Sequence, residues 1–280
     1  LEFRRVLFRS EDLIMENFSL PSDFIRKMQL LLNSEWEDFK TCYENNKYQA
    51  LRFNPLKKGI SPDIYPELLS KLSIPDRTPV PWADHAYYYP DTAHPGKHPW
   101  HEAGLYYIQE PSAMSAAALL APEPGDRVLD LCAAPGGKST QLAAYLNQTG
   151  LLVANEIHPA RCKILSQNME RLGISNAIVT NEDSFTLAAR FPEYFDKIMV
   201  DAPCSGEGMF RKNPEAASEW SLANVKNCAA RQSEILDNAA EMLVPGGKIV
   251  YSTCTFSPEE NEQVIASFLE QQIGRASCRE

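Results

Sequence analysis

From Pro122 onward, short apolar runs alternate with amphipathic stretches along the chain. The runs RVLDLC (127–132), LLVANE (151–156), NAIVTNED (176–183), DKIMVDAP (196–203) and GGKIVYSTC (246–254) have the length and composition of buried strands. Between and after them, GGKSTQLAAYL (136–146), PARCKILSQNMERLG (159–173), VKNCAARQSEILDNAAEML (225–243) and SPEENEQVIASFLEQQ (257–272) carry apolar residues at helical spacing. Strand and helix in strict alternation predict an α/β fold, a parallel doubly wound sheet with crossover helices. Ligands of such sheets sit at the carboxyl ends of the strands.

The first hundred residues read differently. Phe18, Phe24, Ile25, Met28, Leu31 and Leu32 fall at helical spacing, with Pro21 and Ser22 as start signals. YQALRFNPLK (48–57) alternates like a strand, and SPDIYPELLSKL (61–72) predicts a short helix. A proline- and aromatic-rich connector follows over 79–104, and LYYIQEPSAMSAAALL (105–120) passes from a strand into an alanine-rich helix. We therefore expect a small α+β, RNA-interacting module with its connector over 15–100 and the α/β domain over 101–272.

Composition narrows the class. Apolar residues make up 44% of the chain, ample for a core, and no run approaches the roughly 18 residues of a membrane span. No signal peptide is visible. The opening LEFRRVLFRS and closing IGRASCRE match no neighbouring periodicity and resemble translated sequencing adapters. Residues 1–14 and 273–280 are expected to be artefactual tails, with Met15 as the start. The formal net charge of −10 provides no general footprint for nucleic acid, so any such surface must be a local patch or lie outside this chain. Seven cysteines without a C-x-x-C pair argue against zinc and for reduced thiols in the cytoplasm. The five histidines show no ligand spacing, and no metal is expected.

The chemistry collects at strand ends. Gly137-Lys138-Ser139 resembles the close of a triphosphate-binding loop, but that motif needs glycine where Cys132 stands. The remaining reading is a Pro135-Gly136-Gly137 turn that lets the backbone approach a small ligand at a helix start. Glu156, about twenty residues on, stands where such folds place a ribose-binding carboxylate, and Asp183 follows the third strand, suitably placed for an adenine edge. Helix capping is the competing role for each acid. Carboxylates without a phosphate partner suit S-adenosyl-L-methionine better than NAD, whose G-x-G-x-x-G is absent. Cys204 follows Asp201 at the fourth strand, and Cys254 ends the fifth. A single cysteine there is more often packing, but two in polar loops at one edge suggest chemistry. A thiol beside a methyl donor suits methylation of a pyrimidine carbon: addition to C6 turns C5 into a nucleophile. Asp201, bonded to the N3/N4 edge, would stabilise charge on the ring. On spacing alone, either cysteine can be the attacking group.

HEAGLYYIQEPSAM, VLDLCAAPGGKSTQLA, VANE, DAPCSGEGMFRK, AARQSEILDNAAEML, PGGKIVYSTCTFSPEENE and the early LRFNPLK resemble the Nop2/Sun (NSUN) family of RNA cytosine-5 methyltransferases, in its bacterial 16S rRNA F-type branch. The resemblance covers essentially 20–270 and implies a Rossmann-like methyltransferase domain acting on RNA, most specifically small-subunit rRNA, as a monomer. It implies Cys254 as nucleophile and Cys204 as the aid to product release, with Asp201 and Lys138 beside them. Cys132, Ala133, Ala134, Pro135, Gly136, Gly137, Lys138, Glu156, Asp183 and Asp201 would form the cofactor site. DNA cytosine-5 enzymes, which attack with a Pro-Cys thiol, are the rival. A non-catalytic RNA-binding relative also fits the motifs, as does a tRNA rather than an rRNA substrate. The branch continues with further strands and an RNA-binding domain, so the fifth strand is expected at an exposed edge, with weak cofactor binding and poor turnover. Arg211, Lys212, Lys97 and His98 are candidates for phosphate contact. Tyr87, Tyr88, Tyr89 and Trp100 are candidates for base stacking, although connector packing suits them better.

Overall fold

The computed structural model describes residues 20–43 and 47–277. The tail readings for 1–14 and 278–280 lie outside these residues, and the backbone of the last helix, Glu262–Ser277, runs past Gln272 into the segment set aside as a tail.

Two sheets organise the molecule. β1 (Gln49–Phe53), β2 (Ala86–Tyr89) and β3 (Tyr106–Gln109) form an antiparallel sheet in the order β2-β1-β3. β4 (Arg127–Asp130), β5 (Leu151–Asn155), β6 (Ala177–Thr180), β7 (Phe195–Asp201) and β8 (Leu243–Ser252) form the parallel sheet the alternation predicts, in the order β6-β5-β4-β7-β8. Their side chains alternate between two cores. Val128, Leu152 and Met199 pack with helices Gly137–Leu146 and Pro159–Leu172. Leu129, Val153 and Ile198 face the opposite side, against Leu187 of helix Ser184–Arg190 and Leu236 of helix Leu222–Met242. Burial on both faces explains why these strands read as unbroken apolar runs. The strand order reverses between β4 and β7, where a doubly wound sheet leaves its ligand crevice. β8 pairs with β7, and its outer edge is unpaired among the described residues.

Several boundaries depart from the sequence reading. β4 stops at Asp130, although Leu131 N–H still donates to Met199 O (3.0 Å) and Ala133 N–H to Asn155 O (2.8 Å). β6 stops at Thr180, and the helix Ser184–Arg190 that follows it was not read from the sequence. β8 starts at Leu243 and takes in the Pro245–Gly247 turn through a register irregularity opposite Phe195–Lys197.

The N-terminal elements divide between two partners. The small sheet joins the parallel-sheet domain through buried Arg52, which donates to Gly137 O (3.2 Å) and Thr140 Oγ1 (2.9 Å), and through Asn54 Nδ2, which donates to Leu172 O (2.8 Å). Helix Ser22–Leu32 instead sets Phe24 edge-on to Phe210 (5.1 Å between ring centres) and Trp220 (5.7 Å), beneath the loop that follows β7. Tyr87, Tyr89 and Trp100 pack in the small-sheet core and Tyr88 in the cluster beside it, which is the packing role rather than base stacking. Among the described residues, no helix is long and apolar enough to cross a membrane.

Candidate active site

A cavity of about 650 Å³ opens at the carboxyl ends of β4, β7 and β8. Its floor is the 130–138 segment. Gly136 adopts φ +112°, a backbone region that L side chains rarely enter, and starts the turn into helix Gly137–Leu146. Cys132, Ala133, Ala134, Pro135, Gly137, Lys138 and Asp201 line the cavity, as does Cys254. Lys138 Nζ donates to Asp201 Oδ2 (2.7 Å), whose other oxygen accepts from Ser252 Oγ (2.8 Å), so the carboxylate is fixed at the switch point of the sheet.

The two thiols meet. Cys204 Sγ and Cys254 Sγ lie 3.1 Å apart, both as free cysteines, with Cys254 the more exposed. Either thiol can donate to the other, and the Cys254 backbone N–H also donates to Cys204 Sγ (3.4 Å). The contact between the thiols and burial push the Cys204 thiol up, whereas the same contact draws Cys254 below the usual thiol range. Cys132 is pushed upward by burial and by the charges of Asp130, Glu156 and Asp201, so it remains a protonated wall of the cavity.

Four of the expected catalytic and cofactor residues do not line the cavity: Gly136, Glu156, Asp183 and Cys204. Cys204 adjoins it through Cys254. Glu156 is buried behind the floor, accepts from His158 N–H (2.9 Å) and pairs with Arg161 (3.5 Å), whose guanidinium also donates to Ala134 O (2.8 Å). Asp183 caps helix Ser184–Arg190, accepting from Thr186 N–H (2.7 Å) and Thr186 Oγ1 (3.0 Å), which hold its carboxyl below the usual range. Of the proposed phosphate contacts, Arg211 and Lys212 line the cavity, Arg211 donating to Cys42 O (2.7 Å) and Lys212 pairing with Glu110. Lys97 and His98 lie away from it, and His98 caps the helix at Pro99.

The sequence reading missed two sets of cavity residues. Asp130 ends β4 fully buried, accepts from Ser139 Oγ (2.5 Å) on one oxygen and leaves the other without a partner; Gln109 Oε1 is likewise unpartnered. Burial, with Asp201 and Glu156 adding to it against the Ser139 bond and Lys138, pushes Asp130 up to about 7. The rule that pointed to Glu156, an acid at a strand's carboxyl end, applied equally to Asp130. The second set is aromatic. Phe39, of helix Trp36–Thr41, meets Phe256 edge-on (5.3 Å) and Tyr43 (5.6 Å) on the wall beside Cys254. Burial and Glu207 push the Tyr43 phenol up to about 12. No local pattern announced these rings, which come from segments more than two hundred residues apart. Among the described residues, no group of three or more His, Cys, Asp or Glu side chains is arranged to hold a metal.

A profile for 16S rRNA methyltransferase RsmB/F matches residues 117–279, and one for the N-terminal domain of 16S rRNA methyltransferase RsmF matches 20–111. Ribosomal RNA small subunit methyltransferase F of Vibrio cholerae serotype O1 (strain M66-2) is 39% identical over 255 residues, 89% of this chain and 53% of the relative. The enzyme of the same name from Pectobacterium atrosepticum is 40% identical over 255 residues, 88% of this chain and 52% of its own length. The chain thus spans about half the length of these curated relatives. A methyltransferase homologue from Pyrococcus horikoshii superposes with a TM-score of 0.74 at 31% identity, covering 89% of this chain and 83% of that one. NSun6 from the same organism shares the fold, with a TM-score of 0.80 at 21% identity over 91% and 88% of the two chains. The match to the first profile takes in more than half of the residues, and the chain belongs to the 16S rRNA methyltransferase RsmB/F family.

Proposed function

We propose that this chain carries the methyl-transfer centre of an S-adenosyl-L-methionine-dependent RNA cytosine-5 methyltransferase acting on small-subunit rRNA. The observation that carries the reading is Cys254, which lines the same cavity as the 132–138 loop and the Lys138–Asp201 pair, with Cys204 Sγ 3.1 Å from its sulfur. Family membership supports the methyl donor. So do the unpartnered oxygens of Asp130 and Gln109, two residues of the cavity lining and each an acceptor suited to an ammonium group, and the helix start at Gly137, suited to a carboxylate. Cys132 to Lys138 would hold the methionine end, with Glu156 and Asp183 beside the adenosine. When bound, the cofactor supplies an electrophilic methyl group.

The protein's own residues supply the rest. The Cys254 thiolate adds to cytosine C6, and the C5=C6 electron pair becomes available at C5 for attack on the methyl carbon. Asp201, steadied by Lys138, accepts from the N4 amino group while the ammonium offsets charge developing on the ring. Loss of the C5 proton to a base then re-forms the double bond and expels Cys254, with Cys204 as the neighbouring donor for the departing sulfur. Phe39 and Phe256 offer the base an aromatic wall. Cys254, which is exposed and lines the cavity while Cys204 does not, is the better placed attacking group, against the rival Pro-Cys assignment.

Trapping on small-subunit rRNA substituted with 5-fluorocytosine tests this, because fluorine at C5 blocks release. Wild type is expected to form a covalent adduct, Cys254→Ala none, and Cys204→Ala a persistent adduct even on ordinary RNA. An adduct retained in Cys254→Ala but lost in Cys204→Ala would transfer the attack to Cys204. No adduct with wild type on rRNA or tRNA would favour a non-catalytic RNA-binding relative.

A further inference from the structure

The loops bearing the two thiols are tied together by carboxylates that cross from each loop to the other. Glu260, from the loop after Cys254, accepts from the backbone N–H of Ser205, next to Cys204 (2.9 Å), and from the Ser205 hydroxyl. Gln232 Nε2 also donates to Glu260 (2.9 Å) and to Pro203 O (2.9 Å), joining helix Leu222–Met242 to the same loop. Glu207, from the loop after Cys204, accepts from the backbone N–H of Phe256, two residues beyond Cys254 (2.9 Å), and from Trp220 Nε1 (3.2 Å). Both carboxylates are fully buried. Lys27, on helix Ser22–Leu32, reaches Glu207 (3.4 Å), Ser257 Oγ (2.6 Å) and Glu259 (3.0 Å). At the crossing, Gly208 N–H donates to Cys254 O (2.8 Å), and a Cβ on Gly208 would lie 2.8 Å from that oxygen, which leaves room for glycine alone.

We infer that Glu260, Glu207 and Lys27 are positioning residues that hold Cys204 and Cys254 in contact, so that the N-terminal helix is part of the thiol platform. The physical argument is the crossing itself. A carboxylate bonding only its own loop would stiffen that loop, whereas each of these bonds the other loop's backbone. The thiols cannot separate without stranding a buried carboxylate and its amide partner, and charge-assisted bonds of this kind are the costly ones to leave unmade. Lys27 gives buried Glu207 an ion-pair partner (3.4 Å), and the helix carrying it is fastened by Phe24 against Phe210 and Trp220. The consequence for turnover rests on the methyltransferase reading; the coupling of the two sulfurs does not.

The experiment uses the full chain. The pH profile of Cys254 alkylation by iodoacetamide is followed by peptide mass spectrometry in wild type, Glu260→Ala, Glu260→Gln, Lys27→Met and Leu69→Ala, the last a destabilising control in the small-sheet core. Glu260→Ala should move the midpoint to higher pH by about one unit, roughly tenfold slower alkylation at neutral pH. Lys27→Met should move it less in the same direction, and Glu260→Gln, which keeps an acceptor for Ser205 N–H, should restore most of it. Leu69→Ala should leave the midpoint in place at a similarly lowered Tm. If Glu260→Ala and Lys27→Met keep the wild-type midpoint, the inference is overturned; should Glu260→Ala fail to fold, Lys27→Met alone decides it. A shifted midpoint in a protein that forms no RNA adduct would uphold the clamp and sink the methyl-transfer reading.

Discussion

At Asp130, a buried carboxyl next to an open cavity is held against its own ionisation. Its pKa rises from 3.8 to about 7, so the folded state prefers the proton. The sign follows. This contribution to stability is fully present below the unfolded pKa and is lost as pH climbs to about 7, a cost on the order of 4 kcal/mol above that point. A ligand ammonium next to the unpartnered oxygen would repay part of it. Asp130→Asn is therefore expected to melt higher than wild type at pH 8, with the difference closing toward pH 4, while binding S-adenosyl-L-methionine at least tenfold more weakly. Thermal melts across that range and calorimetric titration measure both. Stability and affinity moving in the same direction would remove Asp130 from the cofactor site.

Elements bring together residues that no local pattern connects. Helix Trp36–Thr41 is short and carries no distinctive motif, yet it brings Phe39 to the cavity wall opposite Phe256. Stacking of a base on an aromatic ring is worth about 1–3 kcal/mol by alanine substitution. Phe39→Ala and Phe256→Ala should each raise KM for RNA by about five- to 150-fold while leaving cofactor affinity unchanged, and Phe39→Tyr should behave nearly as wild type. Steady-state methylation with tritiated cofactor, alongside thermal melts, reads this. The doubly wound sheet itself was legible, because strands buried on both faces leave continuous apolar runs and crossover helices leave a 3.6-residue period. Helix Ser184–Arg190 was not: its seven residues are too few to establish a period, and Asp183 served as its cap instead of ending a strand.

Across the whole molecule, charge limits how RNA can be held. With a formal net charge of −10, the RNA affinity that the proposed function requires must come from a local patch or from outside this chain. Lys212 is paired with Glu110, whereas Arg211 donates to the uncharged carbonyl of Cys42. Each phosphate neutralised on a single strand contributes about 0.7 to the slope of log affinity against log salt. Arg211→Ala should therefore flatten the slope by about 0.7, whereas Lys212→Ala should flatten it less. Filter binding between roughly 50 and 200 mM salt provides the comparison. Equal effects would mean that the Glu110 pair opens on binding.

The sequence by itself determined the class of fold, the strand ends at which reactive groups would collect, and the residue types suited to a methyl donor and a thiol nucleophile. All of these follow from periodicities and turn chemistry written within short stretches of chain. Only the tertiary structure decided that Cys204 and Cys254 touch, that Asp183 spends its carboxylate on a helix cap, that Asp130 keeps an unpartnered buried oxygen, that Phe39 lines the cavity and that Lys27 reaches Glu207. Those are contacts between distant segments. They depend on which faces of separate elements are buried against one another, and no spacing along a single stretch of chain encodes that.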